Sequence, residues 1–277
     1  MRNLDWHRVR TVAKHDLKQL LRSKDFLIPM AVLGGLFFVV LPAMLLASIE
    51  AIGQVGAIEQ VSAALDVLPD RAQEQLRGDT PGSRTQYALA VYLFAPLAII
   101  VPLTISSAVG SATIVGEREK GTGEFLAHSP AATTEIYVGK LIASLIPGYL
   151  TTLVGFSIYS LIVNLIVGPD VGGWFFPTGD WWLLMLWVVP PFLCFALAMV
   201  LRLSARVRST AAAQQASGLV TLPMIVVAYS QSTGTLFGAG TSTFYIGLLA
   251  WLGALWVLTR GMYAVKRGRL LGVADEV

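Results

Sequence analysis

Three histidines, one cysteine and seventeen carboxylates are the side chains with which this 277-residue chain could do metal, covalent or proton chemistry. Their spacing assembles none of it. His7, His15 and His128 stand apart with no H-E-x-x-H, and a metal site needs several convergent ligands. No Gly-x-Ser-x-Gly elbow presents a serine nucleophile. Gly139-Lys140 is followed by Leu141 and lacks the upstream glycine of G-x-x-x-x-G-K-[ST], so the chain has no P-loop of its own for ATP. Cys194 is the single cysteine and lies in an apolar run. No intrachain disulfide can form, and the residue reads as a small buried hydrophobe.

Three weaker patterns remain. Thr104, Ser107 and Ser111 are spaced i, i+3, i+7, and Gln214, Ser217 and Thr221 repeat that spacing. On a helix each set falls on one face. Such stripes either line a polar passage or bond their own helix carbonyls and glue helices together. The third pattern is a charged island, residues 116–140, holding Glu117, Arg118, Glu119, Lys120 and Glu124 between two long apolar segments. Its two readings are a docking handle and an ordinary solvated loop.

The elements that must position these groups are apolar. The chain is 55% hydrophobic and 13% charged, against about 25% charged in soluble domains. Residues 26–49, 85–116, 141–169, 181–201 and 209–259 contain no Asp, Glu, Lys or Arg. A spanning helix needs roughly 20 apolar residues, and the last run is long enough for two. The expectation is an all-α integral membrane protein with six transmembrane helices. Spans five and six are placed near 209–229 and 244–263. Pro42 should kink the first span, and paired Trp181-Trp182 suits the interfacial belt at the start of the fourth.

Residues 1–25 place Arg10, Lys14, Lys18 and Arg22 on one helical stripe and Trp6, Val9, Ala13, Leu17, Leu20 and Leu21 on the other face. That pattern predicts an N-terminal amphipathic helix lying in the membrane interface. Residues 50–84 form an external amphipathic loop, with a short helix opening at Pro69-Asp70 and ending near Gly78. Seventeen of the twenty Lys and Arg fall on the side of the two termini, the island and the 202–208 loop. The excess puts both termini in the cytoplasm. The charge-free runs of the expected spans hold no Asp, Glu, Lys, Arg or His, which argues against a carrier driven by buried carboxylates.

Gly116-Glu117-Arg118-Glu119-Lys120-Gly121-Thr122-Gly123-Glu124-Phe125-Leu126, then Ser129-Pro130, then Gly139-Lys140-Leu141, resembles the run between the second and third spans of the ABC-2 family. These are membrane subunits of ATP-binding-cassette exporters. The match departs at Gly123, where leucine is usual, and at Ala127. The resemblance extends over the whole chain, as one transmembrane domain of 1–277 with 116–135 as cytoplasmic coupling segment. It implies a non-catalytic permease subunit of a prokaryotic cytoplasmic (inner) membrane. A second copy or a similar permease would complete the conduit. Separate ATPase subunits would carry the ATP and Mg, with no cofactor on this chain.

The resemblance assigns ATPase coupling to Glu117, Arg118, Glu119, Gly121, Glu124, Phe125 and Leu126. Arg206 and Arg208 form either a second contact or charges that set orientation. It also places spans two and five beside the cavity between the halves, so the two hydroxyl stripes are expected to line the conduit. Such a lining suits an amphiphilic or apolar cargo better than a free ion. Two other readings stay open: a related membrane module that transmits force without moving solute, and an intramembrane enzyme, for which no buried acid–base pair is present in the sequence.

Overall fold

The computed structural model describes residues 4–52, 70–119, 128–204, 215 and 240–264, and these form helices and turns without strands. Five of the helices are long and apolar enough to cross a membrane: Lys24–Ile49, Pro81–Thr113, Thr133–Ile166, Gly179–Arg202 and Thr243–Gly261. They coincide with expected spans one, two, three, four and six. Expected span five lies outside the described residues except for residue 215, as do residues 53–69 of the external loop.

Helix α1 (Trp6–Arg22) starts at Asp5, whose carboxylate accepts from the His7 N–H. That satisfies one of the four free N–H groups of the first turn. Span one is α2 (Lys24–Gly35), a π-turn (Leu36–Val40) and α3 (Leu41–Ile52). The short α4 (Asp70–Glu74) follows, as the Pro69-Asp70 pair predicts. Gly78 then takes φ +126°, where a side chain would be strained and its Cβ would strike Ser83. Helix α5 (Pro81–Ala88) opens with a capping box that the sequence reading missed: Thr80 Oγ1 accepts from the Ser83 N–H and Ser83 Oγ from the Thr80 N–H. A π-turn (Leu89–Leu93) leads to α6 (Leu97–Glu119). Then come α7 (Thr133–Ile166), α8 (Gly168–Val171), α9 (Gly179–Leu183), a third π-turn (Leu184–Val188), α10 (Val189–Ser204) and α11 (Gly240–Ala264).

The π-turns have a readable cause. A proline lacks the N–H that would bond the carbonyl four residues before it. Pro42, Pro96 and Pro190 leave Phe38, Tyr92 and Leu186 in that position, and each lies inside a π-turn. Proline alone is not sufficient, because Pro102 and Pro147 sit inside regular α-helix. The second and third turns also have side-chain donors at hand. Phe94 N–H reaches Leu89 O, and Ala95 N–H reaches Tyr92 O. The carbonyls those groups would meet in a regular helix, Ala90 and Val91, accept instead from Tyr159 Oη at 2.6 Å and Trp181 Nε1 at 2.9 Å. Likewise Val189 N–H goes to Leu184 O, and Met185 O accepts from Tyr149 Oη at 3.0 Å. Where neighbouring helices re-satisfy freed carbonyls, a broken ladder is tolerable inside a bilayer.

Helix α7 is the centre of the bundle and packs against α1, α6 and α10. Its 34 residues make a rod of about 51 Å, longer than the roughly 30 Å hydrocarbon core. The exposed apolar stripe Ile146, Leu150, Val154, Ile158, Leu161 and Leu165 marks the lipid-facing part. It spans about 29 Å at 1.5 Å per residue. The first turns of α7, from Thr133 to Lys140, therefore stand beyond the core at one end. At the opposite end Phe156, Tyr159, Phe176 and Trp181 form a buried aromatic cluster, with ring centroids 5.1–6.0 Å apart. Asn164 fixes the following loop: its side-chain amide donates to Ser160 O and Phe176 O and accepts from the Phe175 and Phe176 N–H groups.

Candidate coupling site

The site is built where four pieces meet: α1, the end of α6, the 128–132 return and the start of α7. The α6–α7 hairpin is held by small residues. Gly148 sits so close to α6 that a Cβ there would collide with Ser106 Oγ and lie 2.7 Å from Pro102 O. Gly110 faces Ser144, and Thr113 Oγ1 lies 3.5 Å from Ser144 Oγ. Small residues recurring every fourth position let membrane helices approach backbone to backbone. The island joins the two legs of this hairpin, its first residues ending α6 and its last beginning α7.

Helix α1 lies along the base of α7, and its apolar face divides. Val9, Ala13 and Leu20 are buried within the chain, together with Asp16, while Trp6 (66% exposed) and Leu21 (54%) remain open. Most of the face expected to meet lipid thus packs on protein. The reason is visible at Gly139, where an added Cβ would lie 2.8 Å from Val12 Cβ, so the two helices touch closely.

Two ionic knots fasten this contact. In the first, Arg8 donates to Pro130 O at 2.7 Å and pairs with Asp5 at 3.2 Å. The buried Glu135 carboxylate accepts from the Ala132 N–H at 2.7 Å and the Asp5 N–H at 3.2 Å, with Arg8 3.8 Å away. An acid at the third position of a helix is favourable for both capping and the helix dipole. In the second knot, Lys140 Nζ is fully buried and donates to Asp16 Oδ2 at 3.3 Å and to Thr113 O at 2.8 Å. One ammonium therefore binds α1, the end of α6 and its own helix. A cleft of about 500 Å³ opens beside the knots, lined by His7, Arg8, Thr11, His15 and Ser129 among others.

Of the expected coupling residues, Glu117, Arg118 and Glu119 occupy the last turn of α6. Gly121, Glu124, Phe125, Leu126, Arg206 and Arg208 lie outside the described residues, as do Gln214, Ser217 and Thr221 of the second stripe. The first stripe is mixed. Thr104 is exposed and bonds Ile100 O at 2.8 Å, whereas Ser111 is fully buried and bonds Ala108 O at 2.9 Å. Ser107, 5% exposed, and its neighbour Ser106 are buried with no hydrogen-bond partner for either hydroxyl among the described residues.

Sequence reasoning missed Asp16, Glu135 and Lys140 as a set. The available signal was Asp16, an acid on the apolar face between Ala13 and Leu20, which demands a buried partner.

No curated protein matches the sequence. The family model of the ABC-2 family transporter protein matches residues 10–242, from α1 through the hairpin and beyond. The chain, with its multiple apolar spans and the charged segment between the second and third, belongs to the ABC-2 family of transporter proteins.

Proposed function

We propose that this chain is the permease subunit of an ABC exporter, which forms the substrate conduit as a dimer and is driven by separate ATP-binding subunits. The observation that carries the reading is the family match across residues 10–242, which includes the island between two small-residue-packed spans. The subunit is multi-pass in a prokaryotic inner membrane, with both termini and the 116–135 segment in the cytoplasm. Lysine and arginine distribution supports that orientation. ATP and Mg belong to the partner, and this subunit is not itself catalytic.

Closure of the ATPase pair presses on Glu117–Leu126, and the two halves rock to open the conduit outward. Thr104, Ser107, Ser111, Gln214, Ser217 and Thr221 are its proposed lining. The open position of Thr104 supports this. Ser107 and Ser111 are covered in the single chain, so on this reading a neighbouring helix must uncover them during the cycle. Nucleotide-dependent flux in vesicles holding this chain and its ATPase tests the function. ATP hydrolysis without flux of any amphiphilic probe would instead identify a force-transmitting module.

A further inference from the structure

Nothing in a rocking cycle by itself requires a buried Lys–Asp pair at this corner. Replacing such a pair by apolar residues is often neutral for stability, so its presence calls for a reason other than strength. What the pair does supply is a joint that resists sliding. Asp16 and Lys140 are both buried, 4% and 0% exposed, and any movement of α1 along α7 would separate opposite charges where water cannot replace them.

The joint has three arms. Lys140 reaches α1 through Asp16, α6 through Thr113 O, and the rest of α7 through its own helix. A second attachment lies further toward the start of both helices, where Arg8 holds Pro130 O and the Asp5 N–H meets Glu135. Between them, Val12 and Gly139 leave no room for α1 to shift inward. Thr113 is six residues before the end of α6, and Pro130 is three before the start of α7. The ion pair thus joins α1 to both legs of the hairpin close to where the island leaves and returns.

We propose that Asp16 and Lys140 are positioning residues that make α1 and the α6–α7 hairpin one rigid coupling body, so that a push on the island carries α1 with it. This rests on the permease reading above. The surface helix then moves with spans two and three as a unit, while span six, which packs chiefly on α10, moves relative to it.

Spin-label distances test this in the complex with the partner ATPase, on a Cys194→Ala background. One pair, Arg10→Cys with Ile158→Cys, joins exposed positions on α1 and α7. A second, Arg10→Cys with Leu252→Cys, joins α1 to α11. The first distance should be the same in nucleotide-free and ATP–vanadate-trapped complexes, while the second changes. Lys140→Met alone strands a buried carboxylate, so the working variant is Asp16→Asn with Lys140→Met. In it the α1–α7 distance should broaden and become nucleotide-dependent, with ATPase recovery unchanged. A nucleotide-dependent α1–α7 distance in the protein with the pair intact overturns the inference. So does an unaltered narrow distance in the variant. If neither distance responds while the bound ATPase turns over, the permease reading fails and takes this inference with it.

Discussion

The two ends of α7 solve the problem of buried polar groups in opposite ways. At the aromatic end, a proline-associated π-turn displaces carbonyls, and neutral donors from Tyr159 and Trp181 fill them one for one. At the coupling end the ladders are regular, and the buried groups are charges shared among α1, α6 and α7. A neutral donor satisfying one carbonyl is a local repair. A buried charge shared among three helices ties their positions together. The difference teaches where this protein can absorb helix irregularity and where it is built to hold elements in fixed register.

Substitutions can break that contrast, and the largest effect is expected at the charged end. Lys140→Met removes one partner of a buried pair and should cost roughly 3–5 kcal/mol, while Asp16→Asn with Lys140→Met recovers most of it. Thermal unfolding in detergent, with both variants compared with the parent, reads this directly. At the aromatic end Asn164→Ala leaves the Phe175 and Phe176 N–H groups without their acceptor. It should cost roughly 2–4 kcal/mol, seen as loosened protease resistance of the 172–178 loop. Gly148→Ala forces α6 and α7 apart where an added Cβ would meet Ser106 and Pro102 O, and should cost about 1–3 kcal/mol in the same unfolding assay. Tyr159→Phe removes only a hydroxyl. It should cost about 1 kcal/mol or less, since a membrane-embedded carbonyl finds other partners.

The same contrast explains what could be read from the sequence. The long charge-free runs marked the spans, because a bilayer disfavours isolated charges along a helix, and four of those runs and the last part of the fifth stand as described helices. Prolines at 42, 96 and 190 were visible. The π-turns beside them were not, because whether a helix breaks depends on a donor such as Trp181, ninety residues from Val91. At the coupling end Asp16 and Lys140 are 124 positions apart, so no local period joins them. Lys140 precedes the exposed Ile146–Leu165 stripe, near the start of α7, but its burial under α1 is a tertiary fact. The amphipathic pattern of α1 was legible. That its apolar face is taken by α7 follows from Gly139, whose missing side chain reads as nothing until Val12 is placed against it.

The central claim is that a separate ATPase drives this chain through residues 116–135. The most direct measurement is recovery of a co-expressed P-loop ATPase of an ABC transporter on the affinity-tagged chain. The account predicts that Glu117→Lys with Glu119→Lys lowers recovery about tenfold, a loss of 1.4 kcal/mol, while the amount of folded chain is unchanged. Equal recovery from parent and variant would contradict it.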